Sequence, residues 1–304
     1  MPAAGLIVAL LLFGSFWGLT IPMTKLAVST GHAPIGLIFW QQVFVGLALA
    51  VVTFLRRVSL RPRRADIDLY IGVALIGTII PNSFSYVAAA NLPAGVVGIA
   101  IATVPFFALM IALALRDERF EARRIMGVVL GAAAVVLLTA PEASLPSPEM
   151  VPFVFVALIA PFCYGCEANY LARRAPPDAD PLVILVWASV IGAIGCAPVA
   201  VFTGNWVDLT GPWGQAELGL TLSSLSHAVA YSGYIWLVGR AGAVFTSQIA
   251  YVVTVMAVLL SALILSEIYS PWVWLALGLM LAGLTLVRPR RRGAALVPEA
   301  QRER

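Results

Sequence analysis

The sequence has few charged residues. Only 11% of its 304 residues are Asp, Glu, Lys or Arg, while 61% are hydrophobic. A soluble domain carries about 25% charged residues, and these side chains cover its surface. The low charge excludes a soluble globular enzyme, and the high apolar content excludes a disordered chain, which would be polar and highly charged. The composition therefore predicts a protein that crosses a membrane several times.

Cysteine is also scarce, and Cys163, Cys166 and Cys196 all lie within apolar segments, which argues against a disulfide framework. Cys163 and Cys166 have the spacing of a redox or metal motif, but no second Cys or His pair stands at ligand spacing. The zinc motif H-E-x-x-H, the nucleophile motif G-x-S-x-G and a nucleotide-binding loop are missing too. We predict no metal, no cofactor and no enzymatic activity, with a membrane enzyme as the weakest alternative.

Ten apolar runs are long enough to cross a hydrocarbon core, which takes about 20 helical residues. They lie at 5–27, 35–55, 69–89, 93–115, 123–140, 150–172, 182–203, 216–239, 243–266 and 271–287. Each run is too long for a barrel strand and lacks a strand's alternation. We predict an all-α integral membrane protein with ten transmembrane helices. The first run is expected to be retained, because no basic segment precedes it and no evident cleavage site follows it.

Positive charge is distributed unevenly around these runs. If the N-terminus is cytoplasmic, 18 of the 19 Lys and Arg residues fall on the cytoplasmic side, and Lys25 alone falls on the other. The positive-inside rule therefore predicts that both termini are cytoplasmic, and it supports the count of ten helices. Because the basic residues lie between apolar runs, they report topology, and we predict no nucleic-acid partner.

The two halves of the sequence resemble each other. Similar residues recur at offsets of 147, 148, 149 and 151: Trp17 with Tyr164, Tyr86 with Tyr234, Glu118 with Glu267, and Gly127 with Gly278. Five helices per half is an odd number, so the second half must enter the membrane in the opposite orientation, as in many secondary transporters. We predict inverted five-helix repeats over 1–146 and 147–288, followed by a basic cytoplasmic tail, 289–304.

A Glu that closes each fourth helix and a Gly-rich fifth helix in each repeat resemble the EamA-type drug/metabolite transporter superfamily. The resemblance covers about residues 5–287 and is carried by Phe16-Trp17-Gly18, Glu118 and Glu267. It implies a metabolite or drug carrier of the bacterial inner membrane, often an exporter. The chain is also similar in size and aromatic content to the YddG-like subgroup, which exports aromatic and other neutral amino acids. Many relatives have an Arg in helix 2, where this chain has Gln41 and Gln42, and this difference argues against an anionic substrate.

Polar and aromatic residues form stripes on helices 1, 3, 6, 8 and 9. Such side chains either bond a neighbouring helix or line a wet cavity, and we expect a central cavity with helices 5 and 10 as its scaffold. Aromatic walls with few charges suit a neutral or zwitterionic substrate that has an apolar part. The predicted substrate-binding residues are Trp17, Thr20, Asn82, Tyr86, Tyr164, Glu167, His227, Tyr231, Tyr234, Gln248 and Tyr251.

Glu167 is the strongest single candidate for a functional residue, because a carboxyl deep in a transmembrane helix is costly to bury. It could couple transport to protons, bind a substrate ammonium group, or serve as a structural hydrogen-bonding group. Pro22 and Pro105 are predicted hinges, since proline removes a helical hydrogen bond. Glu118 and Glu267 lie at helix ends, where we expect them to pair with Arg or cap a turn.

The sequence thus predicts a multi-pass inner-membrane secondary transporter that exports small neutral or zwitterionic metabolites by alternating access, in particular amino acids including aromatic ones. A proton-coupled efflux carrier of cationic drugs is the alternative. The expected partners are a small-molecule substrate and the lipid bilayer. The specific substrate, transport direction, coupling ion and oligomeric state, a monomer included, are left open.

Overall fold

The computed structural model describes residues 3–139 and 145–287, and all regular elements in these ranges are helical. The helices are α1 (Ala3–Ala27), α2 (Pro34–Leu55), α3 (Arg64–Asn91), α4 (Ala94–Ala114), α5 (Ala122–Thr139), α6 (Val151–Arg174), α7 (Pro181–Phe202), α8 (Gln215–Thr246), α9 (Ile249–Leu265) and α10 (Pro271–Leu286). Helices α1 to α7 are each long and apolar enough to cross a bilayer, and α9 and α10 are shorter apolar helices. The predicted all-α membrane fold is confirmed, whereas the predicted tail, 289–304, lies outside the described residues.

Three of the helices are irregular. A π-helical stretch, Val73–Ile79, interrupts α3. Helix α4 breaks after Ile101 and resumes at Val104 with Pro105 in its first turn, where a missing N–H costs nothing. The span α8 contains a break at Gly242, whose φ of 79° and ψ of 162° are not helical. Glycine reaches this φ at no steric cost, and the break lies between the predicted end of helix 8 at 239 and the predicted start of helix 9 at 243.

Proline and aspartate start several helices. Pro34, Pro181 and Pro271 each occupy the first turn of a helix, where their fixed φ suits the helix and no hydrogen bond is lost. Asp180 caps α7 by accepting a hydrogen bond from the Leu182 N–H at 2.9 Å. Pro22, by contrast, lies inside the uninterrupted helix α1. Of the two predicted hinges, only Pro105 therefore lies at a break, and their role in motion remains a prediction.

The packing of the helices is nearly symmetric between the two halves. Helix α1 packs against α8 and α9 of the second half, and α6, its counterpart, packs against α3 and α4 of the first half. Helix α2 packs against its counterpart α7, and α5 against α10. Each first helix of a repeat thus inserts into the opposite repeat, so the two halves interlock. We call α1, α8 and α9 one bundle and α3, α4 and α6 the other.

The helix ends form two faces that differ in charge. The arginine face carries ion pairs that tie its loops together: Arg56–Asp180, Arg63–Asp178, Arg173–Asp117 and Arg174–Asp68. The Arg173 guanidinium, which donates to Asp117 at 2.7 Å, holds the pKa of that carboxyl below its usual range. The opposite face, which we call the Lys25 face, carries Lys25 and Glu267.

Helices α5 and α10 meet along a glycine contact. A Cβ added at Gly283 would lie 2.7 Å from the carbonyl oxygen of Gly127 and 3.2 Å from the nitrogen of Gly131. Gly278, which the sequence repeat pairs with Gly127, takes no part in this contact, since nothing lies within 4 Å of a Cβ there. Gly283 lies five residues further along, about 140° around the helix, and that side faces α5.

We expect Gly283→Leu to lower the melting temperature of the detergent-solubilised protein. The added side chain would force α5 and α10 apart, and overpacking of this kind costs about 1–3 kcal/mol. Gly278→Leu is the matched control, because it adds the same atoms to the same helix on an exposed side. Equal melting temperatures for the two variants would contradict the assigned contact.

Candidate functional site

An aromatic group surrounds Trp17 in the middle of α1. Its ring centroid lies 6.0 Å from those of His227 and Tyr234 and 6.3 Å from that of Tyr231, all in edge-on geometry. The three partners come from α8 at spacings of four and three residues, so they share one helix face. The structure thus brings four of the predicted binding residues together. Edge-on packing is a favoured geometry for aromatic rings.

A polar network lies on the other bundle and on α2. The Tyr164 hydroxyl donates to Asn82 Oδ1 at 3.1 Å, and Asn82 Nδ2 donates to Gln41 Oε1 at 3.0 Å. The Tyr86 hydroxyl also donates to Gln41 Oε1, at 3.1 Å. Tyr86 is only 2% exposed, so it is a buried support of the network, while Asn82 and Tyr164 keep part of their surface accessible. The predicted binding role of Tyr86 can therefore be only indirect in this conformation.

Glu167 lies directly against the backbone of α3. A Cβ added at Gly77 would collide with the Glu167 carboxyl group, so the absence of a side chain at Gly77 makes room for the acid. Gly77 belongs to the π-helical stretch of α3. Such stretches are rare and are found mostly at functional sites, because they displace side chains from the regular helical register. The local irregularity of α3 and the position of Glu167 are thus parts of one arrangement.

Glu167 lies beside the polar network. It follows Tyr164 by three residues, so the two side chains share one face of α6. Glu167, Tyr164, Tyr231 and Trp17 are all half-buried, although each lies well inside its helix. Partial access at this depth, on sides that face each other, indicates a space between the bundles that is bordered by one acid and several rings.

The remaining predicted residues lie outside this arrangement or at its edge. Thr20 bonds the carbonyl of Trp17 at 2.6 Å and is buried, so it shapes α1 and offers little to a ligand. Tyr251 packs against the apolar cluster shared by α4, α5 and α10. Gln248 immediately precedes α9. Substrate binding by these three residues has no geometric support beyond the sequence pattern.

The predicted binding residues did not include Gln41 and Gln42, which both make hydrogen bonds between helices near the polar network. Gln41 accepts two hydrogen bonds in the network, and Gln42 is buried and donates to Thr78 Oγ1 at 3.0 Å. Gly192 on α7 leaves the room that the Gln42 amide occupies. Two adjacent amides in the middle of an apolar helix were a visible signal, since such side chains are rarely placed in a membrane without a partner.

The space between the bundles is closed at the Lys25 face. There α1 packs against α3 and the first segment of α4, and α9 packs against that same segment. Over the described residues, the counterpart pairs near the arginine face, α6 with α8 and α6 with α9, do not form comparable interfaces. The site is therefore more accessible from the arginine face.

Neither a metal nor a disulfide is indicated in the part of the chain that the structure describes. No group of three or more His, Cys, Asp or Glu side chains there could hold a metal ion. The three cysteines are free, and two of them are buried. The chemistry of the site is thus limited to aromatic packing, hydrogen bonding and a single carboxyl group.

Comparison with known proteins identifies the architecture. The sequence pattern of the EamA-like transporter family matches residues 4–140 and again residues 151–288. A probable terminal-alkyne amino-acid exporter of Streptantibioticus cattleyicolor is 22% identical over 290 residues, covering 94% of each chain. The uncharacterized inner membrane transporter YedA of Escherichia coli K12 is 24% identical over 299 residues, covering 94% of this chain and 90% of YedA.

The crystal structure of another protein shares the fold with a TM-score of 0.63 at 19% sequence identity. The match covers 91% of this chain and 97% of that one. Together with the apolar helices, these similarities make the chain a multi-pass inner-membrane protein.

We expect Gly77→Ala to destabilise the protein by about 1–3 kcal/mol, because the new methyl group would displace the Glu167 carboxyl. In the double variant Gly77→Ala/Glu167→Ala most of that loss should disappear, which thermal unfolding of the four proteins of the cycle would show. Gly195→Ala, in open space on α7, is the control and should be neutral or slightly stabilising. Additive effects of the two substitutions would contradict the contact between Gly77 and Glu167.

Proposed function

Because the chain belongs to the EamA-like transporter family, and is therefore an inner-membrane transporter of small metabolites, we propose that it exports neutral or zwitterionic amino acids, including aromatic ones. Transport would proceed by alternating access through the space between the two bundles. The observation that carries this proposal is the aromatic group of Trp17, His227, Tyr231 and Tyr234. The opposite bundle adds one deep acid, Glu167, whose carboxyl lies against Gly77.

The chemistry of the site suits such a substrate. The rings of Trp17 and Tyr231 are only partly buried and offer an apolar surface for a side chain, and the Glu167 carboxylate can accept from an α-ammonium group. Asn82 and Tyr164 add polar groups for a carboxylate or an amide. Among these lining residues there is no Lys or Arg, so a strongly anionic substrate would lack a counter-charge. The relative from Streptantibioticus, named as an amino-acid exporter, supports the same substrate class.

The orientation follows from the charges. We infer that the arginine face is cytoplasmic, since 18 of the 19 basic residues belong to that side by the predicted topology. Both termini would then be cytoplasmic, and the site in its present conformation would be loaded from inside the cell. The division of the chain at 146 and 147 into two repeats is part of the same proposal.

In proteoliposomes loaded with unlabelled amino acid, we expect counterflow of labelled aromatic and aliphatic amino acids. Trp17→Ala should reduce that uptake at least tenfold, because it removes the ring on which the other three rings pack. Trp272→Ala is the control, since this exposed ring belongs to the first turn of α10 and the aromatic group lies on α1 and α8. Normal counterflow in Trp17→Ala, or none with any amino acid in the parent protein, would refute the proposed site or substrate class.

A proton-coupled carrier of cationic compounds is the second candidate, and the single deep acid favours it. A carboxyl that binds a proton or a cation in turn can exchange one for the other. Efflux of a cationic dye driven by a pH gradient should then collapse in Glu167→Gln, because the neutral amide can neither bind the cation nor exchange it for a proton. Glu149→Gln, at an exposed site just before α6, serves as the control. If Glu167→Gln transports normally at every pH, Glu167 has no coupling role.

A further inference from the structure

Two oppositely charged side chains hold the turn between α3 and α4 at the Lys25 face. Lys25, at the end of α1, donates to the carbonyl of Leu92 at 2.8 Å and approaches that of Ala90 at 3.5 Å. Glu267, just after α9, accepts from the N–H groups of Ala94 at 2.9 Å and Gly95 at 3.4 Å. We call these contacts the Lys25–Glu267 clamp.

The clamp matches the electrostatics of the helix ends. The last carbonyls of α3 carry partial negative charge and attract a cation, while the first N–H groups of α4 carry partial positive charge and attract an anion. The cation and the anion come from α1 and α9, which belong to the opposite bundle. The clamp therefore joins the two bundles at this face, and its contacts all lie at helix ends.

The counterparts of Lys25 and Glu267 by the sequence repeat are Arg173 and Glu118, at offsets of 148 and 149, on the arginine face. They are engaged differently. Arg173 bonds Asp117 and the carbonyl of Leu115, and Glu118 pairs with Arg124 at 2.8 Å, all within the first repeat or at its border with α6.

The turn that corresponds to the α3–α4 turn is the one around Gly242. It lies in open space, for nothing stands within 4 Å of a Cβ added at Gly239 or Gly242. One clamp is thus formed while the residues that could form the second are present and paired elsewhere.

We propose that Arg173 and Glu118 form a second clamp on the segment around Gly239 and Gly242 when the Lys25–Glu267 clamp releases, so that the two clamps alternate during the transport cycle. This inference rests on the proposed alternating access but is independent of the substrate. In the second state Arg173 would bind the last carbonyls of α8 before Gly242, and Glu118 the N–H groups that follow Gly242.

A hydroxyl group favours the observed state. The Tyr269 hydroxyl accepts from the Gly95 N–H at 3.0 Å and bonds the Glu267 carboxylate. Its counterpart at an offset of 149 is Phe120, which has no hydroxyl and is exposed. The first clamp therefore has one more hydrogen-bonding group than the second. A cavity of about 350 Å³ beside Lys25 and Glu267 gives both side chains access to water when they release.

The test measures the accessibility of one introduced cysteine per face, in nanodiscs, on a background lacking Cys163, Cys166 and Cys196. Ala89→Cys reports opening of the Lys25 face, because Ala89 is buried in the cluster that also holds Ala27, at the end of α1, and Val28, which follows it. Gly239→Cys reports closure of the arginine face, where it is now exposed. Labelling rates with a hydrophilic maleimide are compared in the parent and in Lys25→Met and Glu267→Gln variants.

We expect either clamp substitution to raise the labelling rate at position 89 roughly tenfold and to lower it at position 239, since a charge-assisted bond has been lost. Adding Glu118→Gln to either clamp variant should reverse both changes in labelling rate, because it weakens the second clamp. Glu149→Gln, on the same face but outside the clamp, should change neither rate. Tyr269→Phe is a milder variant that keeps both charges and can replace Glu267→Gln if that protein is unstable. It should also raise the labelling rate at position 89 and lower it at position 239.

Two results would overturn the proposal. One is unchanged labelling in both clamp variants, and the other is opening at position 89 without protection at position 239. Because no substrate is added, a protein that fails every amino-acid transport assay can still show reciprocal labelling. In that case the proposed substrate would be wrong while the pair of clamps would stand. A maleimide that reaches Ser29→Cys in intact cells would confirm the proposed orientation independently.

Discussion

A polar group inside the hydrocarbon region must find its partner within the protein, because no water is available there. Several hydroxyl groups of the described helices meet that requirement locally. Thr53, Ser224, Thr254 and Ser261 each donate to the carbonyl four residues earlier in their own helix. Gln41, Asn82 and Tyr164 instead bond between helices. The proposed transport site lies beside these bonds between helices.

The same distinction explains how far the sequence could predict the structure. Helix number and the residues of the aromatic group follow from hydrophobic length and from periodicity, which depend only on near neighbours along the chain. Thr20 and Ser224 were polar residues on the right stripes, but local bonding to their own helix removes them from the site. A spacing pattern cannot separate a hydroxyl that bonds its own helix from one that faces a cavity.

Contacts between distant segments were beyond the sequence pattern. Gly77, which makes room for Glu167, belongs to the π-helical stretch of α3. The hydrophobic periodicity of the sequence does not predict such a stretch. The choice of Gly283 over Gly278 depends on the rotation of α10 against α5. Glu267 was expected to cap a turn, and it does, but the capped turn belongs to the other half of the molecule. Residue type indicated the chemistry in each case, and only the fold supplied the partner.

The interlocking of the halves has a consequence for how the protein is made. Helix α1 is synthesised first, yet its main packing partners, α8 and α9, arrive more than 180 residues later. The glycine side of α5 similarly has no partner until α10 is complete. Contacts between such distant segments form slowly, because a long loop must be closed before any contact is gained. Assembly of the complete bundle is therefore a late event that depends on α10.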